Sequence, residues 1–305
     1  MAPSDSSPLS TASLARVDAL AAQRTLARLA RVPEAPWLHQ ETARRMGERL
    51  AWIKRQPEQV VDWSGAAGGC EALLAATYPR TRLMQVADVG QSIEPDAAPW
   101  WRRWTRGATA PQRMVADAVP AASAGLVWSN MRLHFAPDPL PLLRAWRRAV
   151  APDGFLMFST LGPGSLGLLR ELYQAAGWGS AHAPFVDMHD LGDMLVETGF
   201  AEPVMDQETL TLSYASPEAL LDELRGVGAN LAPQRFNGLR TPRWRESLRA
   251  RLARHVDENG RLSLSFELVY GHAFRAADAG PRVEAQTQIG LDDMKLMLRH
   301  PRTRK

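Results

Sequence analysis

Val60 to Gly69 reads VVDWSGAAGG: a short apolar run, an acid, then a string of very small residues. Small residues let a backbone turn sharply and approach a ligand closely, so this stretch is either a cradle for a nucleotide-type cofactor or only a tight turn. Asp62, Ser64, Gly65, Ala66 and Gly68 are its candidate contact residues. A second signal is charge. Arg235, Arg240, Arg243, Arg245, Arg249, Arg251 and Arg254 crowd one stretch whose single acid is Glu246. Such a cluster is either a docking face for an acidic partner or a solvated helix face. Trp100, Trp101 and Trp104 alternate with Arg102, Arg103 and Arg106 and read as one apolar helix face with arginines outward, or as a base-stacking surface. The lone cysteine, Cys70, has no obvious catalytic partner and reads as a small buried helix residue. No Ser/His/Asp or Cys/His set is legible.

The elements that must position these residues follow from patterning. The chain has 305 residues, 45% hydrophobic and 23% charged, which is enough to bury a sizeable core and excludes a disordered polymer. Its apolar runs fall far short of the ~20 residues of a membrane span, and one cysteine fits a reducing compartment, so a soluble cytoplasmic protein is expected. Residues 1–13 are expected to be a flexible tail and 14–56 two amphipathic helices, the second with Leu38, Met46, Leu50 and Ile53 inward. From Gln59 onward, short β-type runs alternate with helical stretches such as Cys70–Tyr78 and Pro139–Ala149. That alternation predicts an α/β fold, a doubly wound, mostly parallel sheet over 57–215 whose ligand lies at the carboxyl ends of the strands. Beyond it are expected an all-helical insertion within 216–260 near the ligand edge, a last core strand within 261–275, and a polar tail over 276–305. In the last strand Leu264, Phe266 and Leu268 alternate with Ser263, Ser265 and Glu267, so one face should be the better buried.

Five parallel strands, a further strand and a returning one resemble the class I S-adenosylmethionine-dependent methyltransferase fold. LVWSNMRLHFAPDP (126–139), APDGFLMFSTLGPGSL (151–166), FVDMHDLGDMLVETGFAEPVMDQETLTLSY (185–214) and LSLSFELVYGHAF (262–274) resemble the malonyl-acyl-carrier-protein O-methyltransferases of biotin synthesis. The resemblance runs from Trp37 to Phe274.

It implies S-adenosylmethionine as cofactor, an acidic acyl carrier protein as partner, and methylation of a carboxylate. The family's loop after the first strand reads acid-x-Gly-x-Gly-x-Gly. Asp62 matches the acid, and Ser64, Ala66 and Gly68 fall on the three glycine slots. A left-handed Ala66 would cost about 1–2 kcal/mol, unless Gly65 and Gly69 carry the tight conformation one residue away. The acid ending strand two, which meets the ribose, corresponds to Asp88, one residue late. Asp117, with Ala118, matches the position facing the adenine amino group, and Ser129 and Asn130 that beside the methionine part and the substrate. Arg132, or an arginine of the inserted helices, is the implied counter-charge for the substrate carboxylate. His134 reads as a packed residue rather than a catalytic one. The family's tyrosine ahead of the second helix is missing, with Trp37 nearest. The departures in the loop leave two other readings open: a methyltransferase fold that has lost catalysis and serves as a binding or regulatory partner, and a nucleic-acid-associated relative. Met131, Arg132 and Leu133 stand where base-methylating enzymes carry a Pro-Pro-aromatic loop, which argues against the latter.

Overall fold

The computed structural model describes residues 17–87 and 112–276. Helices α1 (Ala19–Leu29) and α2 (Trp37–Arg49) precede a seven-stranded sheet. Its strands are β1 (Gln59–Asp62), β2 (Arg82–Val86), β3 (Gln112–Met114), β4 (Ala124–Ser129), β5 (Val150–Leu161), β6 (Ala201–Tyr214) and β7 (Leu262–Phe274). They lie in the order β3-β2-β1-β4-β5-β7-β6, with β7 antiparallel to both its neighbours and the other pairs parallel. The strand order reverses between β1 and β4, and the crevice beyond their carboxyl ends is where such sheets bind ligands. The doubly wound sheet expected from the alternation is therefore present.

Helices α3 (Glu71–Thr77), α4 (Pro139–Ala149), α5 (Gly167–Ala176) and α6 (Met188–Glu197) flank the sheet. Two more, α7 (Pro217–Val227) and α8 (Pro242–Ala253), lie between β6 and β7. Several starts are written into the chain. The side chains of Asp18, Asp138, Ser216 and Thr241 accept backbone N–H groups of α1, α4, α7 and α8, and α4, α7 and α8 each begin on proline, which gives up no needed donor there. Burial explains the central strands: Val60, Val61, Leu126, Val127, Phe155 and Leu156 are covered on both faces, as parallel strands require.

Two expectations need correction. The insertion expected within 216–260 is not all helical: α7 and α8 are separated by residues 228–241, where Gly228, Pro233 and Gly238 interrupt the helical pattern. Helix α5 was not expected. Its buried Leu169 and Leu172 and the left-handed Gly177 that ends it are a legible signal, masked by the loop-like Gly162-Pro163-Gly164 just upstream. The last strand runs as expected, with Leu262, Leu264, Phe266 and Leu268 buried.

Candidate functional site

The VVDWSGAAGG segment leaves β1 at the sheet's switch point. Gly65 (φ 71°) and Gly69 (φ 65°) take the left-handed conformations, and residues 66–68 between them form a single 3-10 turn. The substituted slots, Ser64 and Ala66, are thus not where the loop needs glycine for its dihedrals. Gly68 is needed for closeness: a Cβ there would stand 2.1 Å from the Cβ of Ser64. Asp62 is fully enclosed. Its carboxylate accepts the Ser64 backbone N–H at 2.9 Å and the Gln85 side-chain amide at 3.5 Å. Burial pushes its pKa up to about 6.

The end of β4 is tied to this loop. Ser64 Oγ accepts the backbone N–H of Asn130 at 2.7 Å, and Asn130 Nδ2 donates to the carbonyls of Gly68 and His39, each at 2.8 Å. Asn130 Oδ1 accepts the Ser159 hydroxyl of β5 at 2.7 Å. The amide predicted to face the substrate thus spends its capacity on joining α2, the loop, β4 and β5. Met131 follows in a left-handed conformation (φ 53°) that a side chain adopts only under local constraint, here its N–H held by Ser159.

The other sequence candidates fall as follows. Ser129 is fully buried, and its hydroxyl has no hydrogen-bond partner among the described residues. Asp117 and Ala118 sit exposed in a 3-10 turn after β3. Strand β2 ends at Val86; Asp88 and the Trp100 to Arg106 cluster lie outside the described residues. Arg132 is half-buried and engaged with its surroundings. Cys70 is buried, its thiol pushed up by that burial and directed at the Gly68 carbonyl, 3.1 Å away.

Two histidines border the same loop and turn, His39 unmarked by the sequence and His134 packed as expected. His39 is 2% exposed on α2, its Nδ1 2.8 Å from the carbonyl of Ala67 in the loop after β1. His134, in the turn after β4, packs against Phe135 and Phe185. Desolvation lowers their pKa values to about 4 and about 3, so both rings are neutral at pH 7. One histidine among the helical residues of α2 carries no sequence signal; the loop it touches is 28 residues away.

Helix α1 closes the same edge. Its apolar face packs on Ala67 of the loop, on Phe135, and on Leu231 and Ala232 between α7 and α8. Arg28 donates to the carbonyls of Arg225 and Gly228 at the end of α7, and Asp18 pairs with Arg235 at 2.7 Å. Helix α2 is fastened from the other side, with Arg45 to Glu208 at 2.7 Å, Arg49 to Asp206 at 2.6 Å, and Arg49 over the Tyr270 ring. Beneath α7 and α8 is a cavity of about 390 Å³, walled by residues such as His134, Leu166, Leu224, Trp244, Leu248 and Phe266, with Arg225 and Arg245 also at its wall. That is the size and apolar character of a small-molecule site.

The arginine cluster divides in two. Arg235 pairs with Asp18, Arg249 with Glu218 and Glu246, Arg240 caps the Trp178 carbonyl, and Arg251 lies over the Trp178 ring. Arg243, Arg245 and Arg254 are exposed and carry no ion pair among the described residues. Among the described residues no helix is long and apolar enough to cross a membrane.

Residues 37–202 match the family described as a methyltransferase domain. The malonyl-[acyl-carrier protein] O-methyltransferase of Gallionella capsiferriformans is 36% identical over 255 residues, 81% of this chain and 86% of the relative. That of Laribacter hongkongensis is 36% identical over 80% of this chain and 84% of its own length. The Halorhodospira halophila enzyme of the same name is 34% identical over 86% and 89%. With its sheet order, its loop after β1 and its inserted helices, the chain belongs to the methyltransferase-domain family and, within it, to the family of the malonyl-[acyl-carrier protein] O-methyltransferases.

Proposed function

We propose that this chain transfers a methyl group from S-adenosylmethionine to the free carboxylate of a malonyl thioester carried by an acyl carrier protein, in the synthesis of biotin. The observation that carries this reading is the apolar cavity of about 390 Å³ that begins at His134, four residues from the Asn130 junction with the cofactor loop, and runs beneath the inserted helices. The 36% identity to relatives of that name, over most of both chains, supports the substrate class.

The residues present suit the cofactor. The loop is glycine at both left-handed positions, and two buried polar atoms beside it, Ser129 Oγ and His39 Nε2, have no hydrogen-bond partner among the described residues. Residues 65–69, Ser129 and the Asp117 turn would hold the cofactor, with Asp62 and Asn130 shaping the loop from within. S-adenosylmethionine, when bound, supplies a methyl group activated on a sulfonium. A carboxylic acid of pKa ~4 is already ionised at neutral pH, so its attack on that methyl needs no general base. The chain's contribution is to bring the partners in line and to shed water, and the apolar walls at Leu166, Leu224, Leu248 and Phe266 serve that end. Neutral His134 adds no competing charge at the inner wall. Arg132 and Arg245 are the candidate counter-charges for the carboxylate or for the carrier's arm.

An acyl carrier protein is small and acidic. Arg243, in the first turn of α8, and Arg254, at its C-cap, are eleven positions apart, about three turns, and so share one outer face; with Arg245 at the cavity wall they form a docking patch. The single cysteine supports a reducing compartment, the cytoplasm, as the place of work. Incubation with S-adenosylmethionine and malonyl carrier protein, followed by mass measurement, should give one added methyl on the carrier. An unmodified carrier under conditions where the protein binds the cofactor would remove the proposal.

A further inference from the structure

His39 has one ring nitrogen accounted for and one not. A carbonyl oxygen only accepts, so the 2.8 Å contact with Ala67 O requires that Nδ1 carry the hydrogen. With the ring neutral, Nε2 is then a bare acceptor. It is buried and has no hydrogen-bond partner among the described residues. Native proteins rarely leave such an acceptor unmatched, and where they do the site calls for an explanation.

The position of the ring narrows what the partner is. The His39 carbonyl accepts from Asn130 Nδ2, which also donates to Gly68 O. His39 therefore stands between the loop and the carboxyl end of β4, and the turn that follows β4 carries His134 at the cavity wall. The donors of S-adenosylmethionine are its adenine amino group, its ribose hydroxyls and its α-ammonium. With the adenine placed at the Asp117 turn beyond β3, the group that reaches the β4 end beside the substrate cavity is the methionine part, whose only donor is the ammonium. A bare acceptor suits a cation, and it would repel the substrate carboxylate.

We propose that His39 is a cofactor-binding residue, tied to the loop through Nδ1 and accepting the α-ammonium of S-adenosylmethionine at Nε2. Helix α2 is thereby part of the cofactor site rather than only its cover. The inference rests on the cofactor placement proposed above.

Calorimetric titration of two ligands tests it: S-adenosylhomocysteine, and the same molecule lacking the α-amino group. His39→Asn keeps a donor near the Nδ1 position and removes Nε2; His39→Gln restores an acceptor near the Nε2 position. His39→Asn is expected to weaken S-adenosylhomocysteine by about 10-fold or more, as for a hydrogen bond to a charged group, and to leave the amine-free analogue unchanged. His39→Gln is expected to recover most of the loss. Equal losses for both ligands would mean a structural role only, and wild-type affinity of His39→Asn for S-adenosylhomocysteine would mean no role; either overturns the inference. Asp117→Ala serves as the control. If it weakens S-adenosylhomocysteine while His39→Asn does not, the error lies in the role of His39. If neither does, the cofactor placement itself is wrong.

Discussion

The hydroxyl of Ser64 accepts the backbone N–H of Asn130 at 2.7 Å, so a residue standing in a family glycine slot bridges β1's loop to the end of β4. The substitution that weakened the loop as a sequence motif is a structural tie in the fold. Ser64→Ala would leave the buried Asn130 N–H without an acceptor, at a cost of about 1–3 kcal/mol. Chemical denaturation of wild type and variant measures it; unchanged stability would show that the bond contributes nothing net.

Gly68 and Ser64 are coupled by space. A methyl at Gly68 meets the Ser64 Cβ at 2.1 Å, closer than any real contact, so Gly68→Ala must displace the loop. Cofactor affinity is expected to fall at least ~10-fold, since a shift of about an ångström at a binding backbone is costly. In a Ser64→Gly background the same alanine should be tolerated better, because the obstructing carbon is gone. Additive losses in the double variant would show that the two positions do not collide.

Asp62 links the loop to pH. Its pKa is raised in the folded state from 3.8 to about 6 by burial, so the folded chain holds a proton that the unfolded chain has released across that window. Its contribution to stability is therefore present below pH ~4 and is lost as pH rises through about 6, on the order of 3 kcal/mol in all. Buried His39 and half-buried His134 act oppositely, since their depressed values of about 4 and about 3 add stability as pH rises toward 6.5. The quantity to measure is thus the difference between wild type and Asp62→Asn. Relative to Asp62→Asn, wild type should lose stability between pH 4 and 7; a difference that does not change with pH would refute the shift.

Docking and folding should separate within the arginine cluster. Reversing Arg243 and Arg254 together is expected to lower carrier-protein association about 10-fold at low salt, less at high salt, with cofactor affinity unchanged. Arg249→Glu should act differently. It breaks the pair with Glu218 that joins α8 to α7, and a lower melting temperature is expected alongside any loss of association. Surface resonance at two ionic strengths, with thermal melts, distinguishes the two.

What the sequence determined by itself was what local spacing encodes. Strand and helix alternation is read along the chain, and it yielded the doubly wound sheet, the position of the loop after β1, and the alternating burial of β7. A capping residue and a proline stand at 138–139 and 216–217, where helical stretches were expected to begin, whereas the pair at 241–242 lies inside the stretch expected to be helical throughout. The family, too, was legible in long contiguous motifs. Tertiary structure alone decided the roles of single polar atoms, because a hydrogen bond's partner is set by proximity in space. Asn130 was expected to lie beside the substrate, and its side chain is engaged by groups 29 to 91 residues distant, from Ser159 on β5 to His39 on α2. His39, silent among the residues of an amphipathic helix, is held against the loop by an acceptor that only the packing of α2 supplies. Likewise the loop's left-handed turns fall on Gly65 and Gly69, not on the substituted slots, a shift of one residue that spacing could suggest and backbone dihedrals alone could assign.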